Sequence, residues 1–183
     1  MPAHFHVFDT AWGFCAIAWS ARGVTRFILP EATAEAAERA LRRRHRDAEP
    51  AAATPAIADT IAAVRRYFAG TRTDFSSVAL DLEDADGMPA KILAAARAIG
   101  WGETTTYGAL AKRFGEGWEL ARDVGQAMAK NPVPLIVPCH RVLGAGGRMG
   151  GFSAPGGVAT KTKMLALEGH AATKVPAQTS LEF

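Results

Sequence analysis

With 183 residues the chain is long enough for one domain or two small ones sharing an interface, and a 49% hydrophobic share supports a sizeable core. Its 21 Lys and Arg against 18 Asp and Glu leave a net charge of +3 and a pI of about 9.1, a mild excess that suits a polyanionic partner without requiring one. No stretch approaches the ~20 apolar residues of a membrane span, no secretory leader is expected, and two cysteines far apart in sequence suit a reducing cytoplasm.

Residues 4 to 29 are expected to be β structure. HFHVF and GFCAIAWS alternate, and Val24 to Leu29 form a further apolar run after the turn Ala21-Arg22-Gly23. His4 and His6 share a strand face, but no CxxC or HxxxH spacing joins them with Cys15 into a zinc site, so no metal is expected. Cys15 reads as a small core hydrophobe between Phe14 and Ile17. Residues 31 to 46 read as a helix capped by Thr33, with Ala36, Ala40 and Leu41 at helical spacing. Arg39, Arg42, Arg43, Arg44 and Arg46 crowd its end. A solvated helix end with favourable dipole placement is the expectation there, and a nucleic-acid patch the alternative. A loop, DAEPAAATP, leads to a second amphipathic helix from Ala56 to Phe68 (Ile57, Ile61, Val64, Phe68), closed by Gly70. Val78 to Leu82 is expected as one more strand, and EDADG, residues 83 to 87, as the domain boundary.

From Met88 the pattern turns helical. Ile92, Leu93, Ala96 and Ile99 line a helix that stops at Gly100. Helices are then expected over Thr106 to Phe114 and Trp118 to Ala129, joined by a Gly-Glu-Gly turn, which describes a helix-turn-helix. Such hairpins occur in all folds, so the pattern alone does not assign DNA binding. On the second helix Leu120, Val124 and Met128 should pack inward. Arg122, Gly125, Gln126 and Ala129 form an outer face small enough for close approach to a groove.

The stretch from Asn131 to Ser153, NPVPLIVPCHRVLGAGGRMGGFS, carries the chemistry. Cys139 directly precedes His140 and Arg141, and a neighbouring imidazole or cation is what eases formation of the reactive thiolate. Pro132, Pro134 and Pro138 stiffen the approach, and Pro134 to Pro138 is expected to be a brief buried strand. A glycine-rich turn follows, through Gly144, Gly146, Gly147, Gly150 and Gly151.

Pro-Cys-His-Arg-Val, preceded by Asn-Pro and followed by a glycine turn with Phe-Ser, resembles the active-site motif of the O6-alkylguanine-DNA alkyltransferases, the methylated-DNA–protein-cysteine methyltransferases. TTTYGALAKRFG and ARDVGQAMAK extend the likeness, which is continuous from Trp101 to Gly169 and looser before that. The resemblance implies an α+β fold: a ribonuclease-H-like N-terminal sheet-plus-helix support domain (1–86), a helical, winged helix-turn-helix-like C-terminal domain (87–170), and a disordered tail (171–183). It implies a monomeric suicide repair protein without a cofactor. Such a protein binds double-stranded DNA through the minor groove, flips out O6-alkylguanine (or O4-alkylthymine) and keeps the alkyl group on its own cysteine.

The matching positions then take roles. Cys139 is the nucleophile, His140 the proton acceptor, Glu168 the residue that orients it, and Tyr107 the donor to the departing guanine. Arg122 fills the vacated stack, with Ala121, Gly125 and Gln126 on the same groove-facing helix. Asn131 braces the turn, and backbone groups of Cys139 and Val142, with Ser153, hold the base edge. Arg141 is assigned to tying this segment to the N-terminal domain. Phe152 stands where many relatives have tyrosine, which keeps an aromatic wall but removes a hydroxyl, and the SAPGG segment is longer than in some relatives. Three rivals are an alkyltransferase-like binder, which lacks the cysteine, a helix-turn-helix regulator, and a cysteine hydrolase.

Overall fold

The computed structural model describes residues 3–82, 86–115 and 117–170. The residues 83–85 of the expected domain boundary and the expected tail 171–183 lie outside them. The alternating segments form β1 (His4–Thr10), β2 (Gly13–Ser20) and β3 (Gly23–Glu31), an antiparallel meander. β4 (Glu49–Pro50) adds a short parallel edge to β1, giving the order β3-β2-β1-β4.

Side-chain alternation sends the two faces of the sheet to different partners. Phe5, Ala16 and Ala18 face α1 (Ala34–Arg42) and meet its Ala37 and Leu41, where small residues let the helix lie close. Phe8, Cys15, Ile17, Trp19, Phe27 and Leu29 face the main core. That core is continuous with α2 (Pro55–Phe68), α3 (Met88–Arg97), α4 (Tyr107–Ala111), α5 (Trp118–Ala129) and α6 (Gly157–Leu167). Thr33 caps α1 by accepting from the Ala36 N–H at 3.2 Å, and α1 stops at Arg42. Cys15 is fully buried opposite Phe8, and burial pushes its thiol far up. His6 Nδ1 lies 3.2 Å from the Ala51 carbonyl, and no cluster of three metal-ligating side chains occurs among the described residues.

Three expected elements differ. Val78 to Leu82 makes a single bridge, Leu80 to Val24, and no strand. Its side chains are captured elsewhere: Asp81 accepts from Ser20 Oγ at 2.5 Å and pairs with Arg22 at 2.7 Å. Pro134 to Pro138 is buried but turns back on itself, with Leu135 at φ 77° and the Val137 N–H donating to the Val133 carbonyl at 2.9 Å. Prolines there remove the donors that a strand ladder needs. α4 ends at Ala111, because Arg113 and Phe114 bond three residues back and tighten the last turn.

The two halves are joined across β3 and α3. The Phe27 N–H donates to the Pro132 carbonyl at 2.9 Å, and Val24 exchanges backbone bonds with Ala79 (2.8 Å) and Asp81 (2.9 Å). Arg97 of α3 donates to the carbonyls of Phe75 (2.7 Å), Ser76 (3.0 Å) and Val78. Arg97→Ala leaves these carbonyls, of which the bonds to Phe75 and Val78 are part-buried, without their charged donor. It should cost about 2 kcal/mol or more, read as a lower urea midpoint with an unchanged slope.

Candidate active site

Asn131 shapes the segment that carries Cys139. Its amide donates to the Val137 carbonyl at 2.8 Å while its oxygen accepts from the Val133 N–H at 3.0 Å, closing the proline-rich turn. Cys139–Arg141 then form one 3-10 turn, and Val142–Leu143 (β6) pair in parallel with Thr105–Thr106 (β5). That pairing sets Tyr107, the first residue of α4, beside Cys139; Thr106 caps the helix by accepting from the Ala109 N–H at 3.1 Å.

Behind the cysteine lies a buried polar cluster centred on Glu168, the C-cap of α6. Its Oε1 accepts from His140 Nε2 (2.7 Å), Tyr67 OH (2.8 Å) and Arg141 (2.9 Å). Its Oε2 accepts from Arg141 Nε (2.8 Å) and the Gly102 N–H (3.3 Å). Burial works to raise the Glu168 pKa, but the hydrogen bonds and charges of His140 and Arg141 outweigh it and bring it to about 2. The carboxylate is therefore ionised and the bidentate Arg141 balances it. His140 is fully buried, and burial lowers its pKa in spite of the carboxylate beside it. Neutral, with Nε2–H donated to Glu168, it carries its lone pair on Nδ1, which is buried and has no partner among the described residues.

Burial raises the Cys139 pKa, against the pull of the Asn131 amide, the Lys161 charge and the backbone N–H groups of the turn. The resting group is thus a thiol that needs a base. A cavity of about 460 Å³ opens in front of it, lined by Tyr107, Gly125, Met128, Ala129, Gly151, Phe152 and Ser153. Burial, and then Cys139, raise the Tyr107 pKa, so its hydroxyl keeps its proton to donate. A Cβ on Gly150 would lie 3.0 Å from the Tyr107 ring, so glycine there permits the loop to close against the phenol.

The fold thus places Cys139, Tyr107, Gly125, Phe152 and Ser153 around one cavity, with His140 and Glu168 behind it. Arg122 and Gln126 are exposed on α5, and Ala121 is half-buried against the core at the edge of that face. Ser153 Oγ donates to the Ala129 carbonyl at 2.9 Å, which fastens the loop to α5. Arg141 corrects the sequence expectation. Its hydrogen bonds go to Glu168 and to the Ile99 carbonyl (2.5 Å), both in the C-terminal half, and the N-terminal contribution comes from Tyr67 instead.

Two residues at the site were not anticipated. Tyr67 follows Val64 by three residues on the apolar face of α2, where its hydroxyl looks incidental until Glu168 is placed. Lys161 is fully buried on α6, donates to the Val142 carbonyl at 2.6 Å and lies 5.8 Å from the Tyr107 ring centroid. Lys161, Met164, Leu165 and Glu168 stand at i, i+3, i+4 and i+7, and two charges on an otherwise apolar face were the available signal.

Residues 88–170 match the family described as 6-O-methylguanine DNA methyltransferase, DNA binding domain. Over 165 residues the chain is 35% identical to the methylated-DNA–protein-cysteine methyltransferase of Mycobacterium tuberculosis, covering 90% of this chain and 92% of the relative. The chain belongs to the methylated-DNA–protein-cysteine methyltransferase family. Its mixed α+β fold resembles the crystal structure of Mycobacterium tuberculosis OGT in complex with DNA, with a TM-score of 0.72, 32% identity, and coverage of 93% of this chain and 96% of that one. A further relative is named a DNA base-flipping protein, from Thermus thermophilus, 38% identical over 107 residues, which span 58% of this chain and 69% of that one.

The buried cluster around Glu168 has a pH signature. The Glu168 pKa falls from 4.5 to about 2 on folding, so in that window the unfolded chain takes up a proton that the native carboxylate refuses. Stability is therefore present above the window and lost as pH falls through it; His140, also lowered, adds a loss that begins below 6.5. Glu168→Gln should flatten the acid side of a melting-temperature series. At neutral pH it should cost about 3 kcal/mol, because Arg141 is left buried without its counter-charge.

Proposed function

We propose that this protein repairs DNA by moving the alkyl group of O6-alkylguanine, and of O4-alkylthymine, onto Cys139 in one irreversible step. One observation carries the assignment of Cys139: a buried thiol faces a cavity walled by Tyr107 and Phe152, backed by a neutral imidazole locked onto an ionised carboxylate. His140 Nδ1 takes the thiol proton through a water, and Glu168 stabilises the resulting imidazolium. Sulfur attacks the alkyl carbon, the S–C bond forms and the C–O6 bond breaks. The electron pair stays with guanine, where Tyr107 meets the developing charge. Lys161 holds the Val142 carbonyl in place beside the base edge and sets a positive charge near the thiolate. The thioether has no leaving group as good as guanine, so the protein works once. Thiol, imidazole and phenol suffice, and the chemistry asks for no cofactor.

The exposed face of α5 enters the minor groove, and Arg122 occupies the stack from which the base has turned. Residues 87–170, a winged helix-turn-helix-like unit, carry DNA binding and transfer; residues 1–86, ribonuclease-H-like, support them through Tyr67. Both cysteines are free, which suits a monomer in a reducing cytoplasm.

Intact mass spectrometry after incubation with an O6-methylguanine duplex should show one added methyl, on Cys139, and no second turnover. Cys15→Ala should keep transfer, whereas Cys139→Ala should bind DNA without reacting. Repeated turnover, or an inactive but folded Cys15→Ala, would sink the assignment.

Arg122→Ala separates flipping from chemistry. Extrusion costs a few kcal/mol, and losing the inserted side chain should slow duplex repair by about 2 kcal/mol, roughly thirtyfold. The reaction with free O6-benzylguanine, which needs no flipping, should hardly change. The measured quantity is the ratio of the two alkylation rates. If both fall together, Arg122 supports the fold or the thiolate; if neither moves, α5 does not enter the groove.

A further inference from the structure

The cavity at Cys139 is the first of three that join. It shares Met128, Ala129, Phe152 and Ser153 with a groove of about 660 Å³ that reaches Arg43 and Arg44 at the end of α1. That groove shares Arg26, Arg44, Lys130 and Pro132 with a third, of about 750 Å³, between the α1 end and α3. Together they make a trough from the alkyl-transfer site across the N-terminal half.

The arginine-rich end of α1 divides along this trough. Arg42 turns away, donating to Glu38 at 2.7 Å and lying 4.7 Å over the Phe5 ring. Arg43, Arg44 and Arg46 are exposed and line the trough, as does Lys130 at the C-cap of α5, and Arg22 and Arg26 stand in the same walls. Glu31, Asp47 and Asp81 are the acidic groups facing them, and Asp81 is already paired with Arg22 at 2.7 Å. A merely solvated helix end spreads its charges into water. Here cations from α1, β3 and α5 converge on one concavity, which focuses the field on an anion.

We propose that this trough is a second nucleic-acid surface, holding the sugar–phosphate backbone of the DNA that leaves the lesion past the C-terminal end of α5. The proposal rests on α5 entering DNA as described above. Lys130 directly follows Ala129, the last residue of that exposed face, so the face of α5 runs into the trough without a break. A helix of 12 residues covers about 18 Å, roughly five base pairs, so longer DNA must pass beyond it. Arginine forks suit phosphate oxygens and read no base, so the contribution is independent of sequence.

The test uses the full chain and undamaged duplexes extended by about ten base pairs on one side of the binding site or the other, with affinity followed against salt. Wild type should gain affinity from extension on one side only. Changing Arg43, Arg44 and Arg46 together to Ala should abolish that gain and lower the salt slope by about 2 to 3, while the three Lys replacements retain both. Alkylation by free O6-benzylguanine should stay at the wild-type rate in both variants, which reports an intact fold and active site. An unchanged slope, or a gain that survives the Ala variant, overturns the proposal. So does an acidic polypeptide whose binding is lost in the Ala variant while the DNA slope is kept, since the trough then serves a protein. Failure of the repair function shows separately, as absence of alkylation in wild type.

Discussion

The carboxylate of Glu168 is the joint on which the arrangement depends. Five hydrogen bonds converge on it, from Tyr67 of the N-terminal half, Gly102 before β5, and His140 and Arg141 of the cysteine-bearing turn. Burying an anion is costly unless it is paired and hydrogen-bonded, so the surrounding donors have little freedom to rearrange. The same bonds fix which imidazole nitrogen holds the proton. Fold stability and the orientation of the His140 ring are therefore one requirement, met by one side chain.

Electrostatics treat the groups that face the Cys139 cavity and the molecular surface differently. Around Cys139 burial raises the thiol and the phenol and lowers the imidazole, so these three groups are neutral at rest. On them charge appears only when a proton moves. Outside, Arg43, Arg44, Arg46 and Arg122 are exposed. Such a division lets long-range attraction gather a polyanion without holding the thiol ionised in advance.

Local features of the sequence were legible. Alternation located β1 to β3, Thr33 marked the start of α1, and the apolar period of α5 gave its bounds as Trp118 to Ala129. The cysteine motif pointed to Cys139 and His140, and the cavity now found there includes Tyr107 and Phe152, far from it or beyond it in sequence. What escaped depends on partners distant along the chain. Tyr67 reaches Glu168 across 101 positions, and Arg141 reaches Ile99 across 42. The β-branched run at Pro134 to Pro138 looked like a strand because composition reports burial, whereas the prolines and Leu135 at φ 77° decide its course. For Val78 to Leu82 the fate of Asp81 decided, and no local pattern records that.

The bond from Phe27 to the Pro132 carbonyl has a consequence for the solution behaviour of the protein. β3 is an edge strand, and its outer side is occupied by Ala79, Asp81 and the proline-rich turn leading to Cys139. At the opposite edge β4 spans two residues and contains a proline. An uncovered edge is a template for pairing with another chain. The turn that carries Cys139 is thus also a guard against aggregation. Any event that lifts it away unmakes the reactive geometry and bares a stretch of β3 to neighbouring molecules in the same motion.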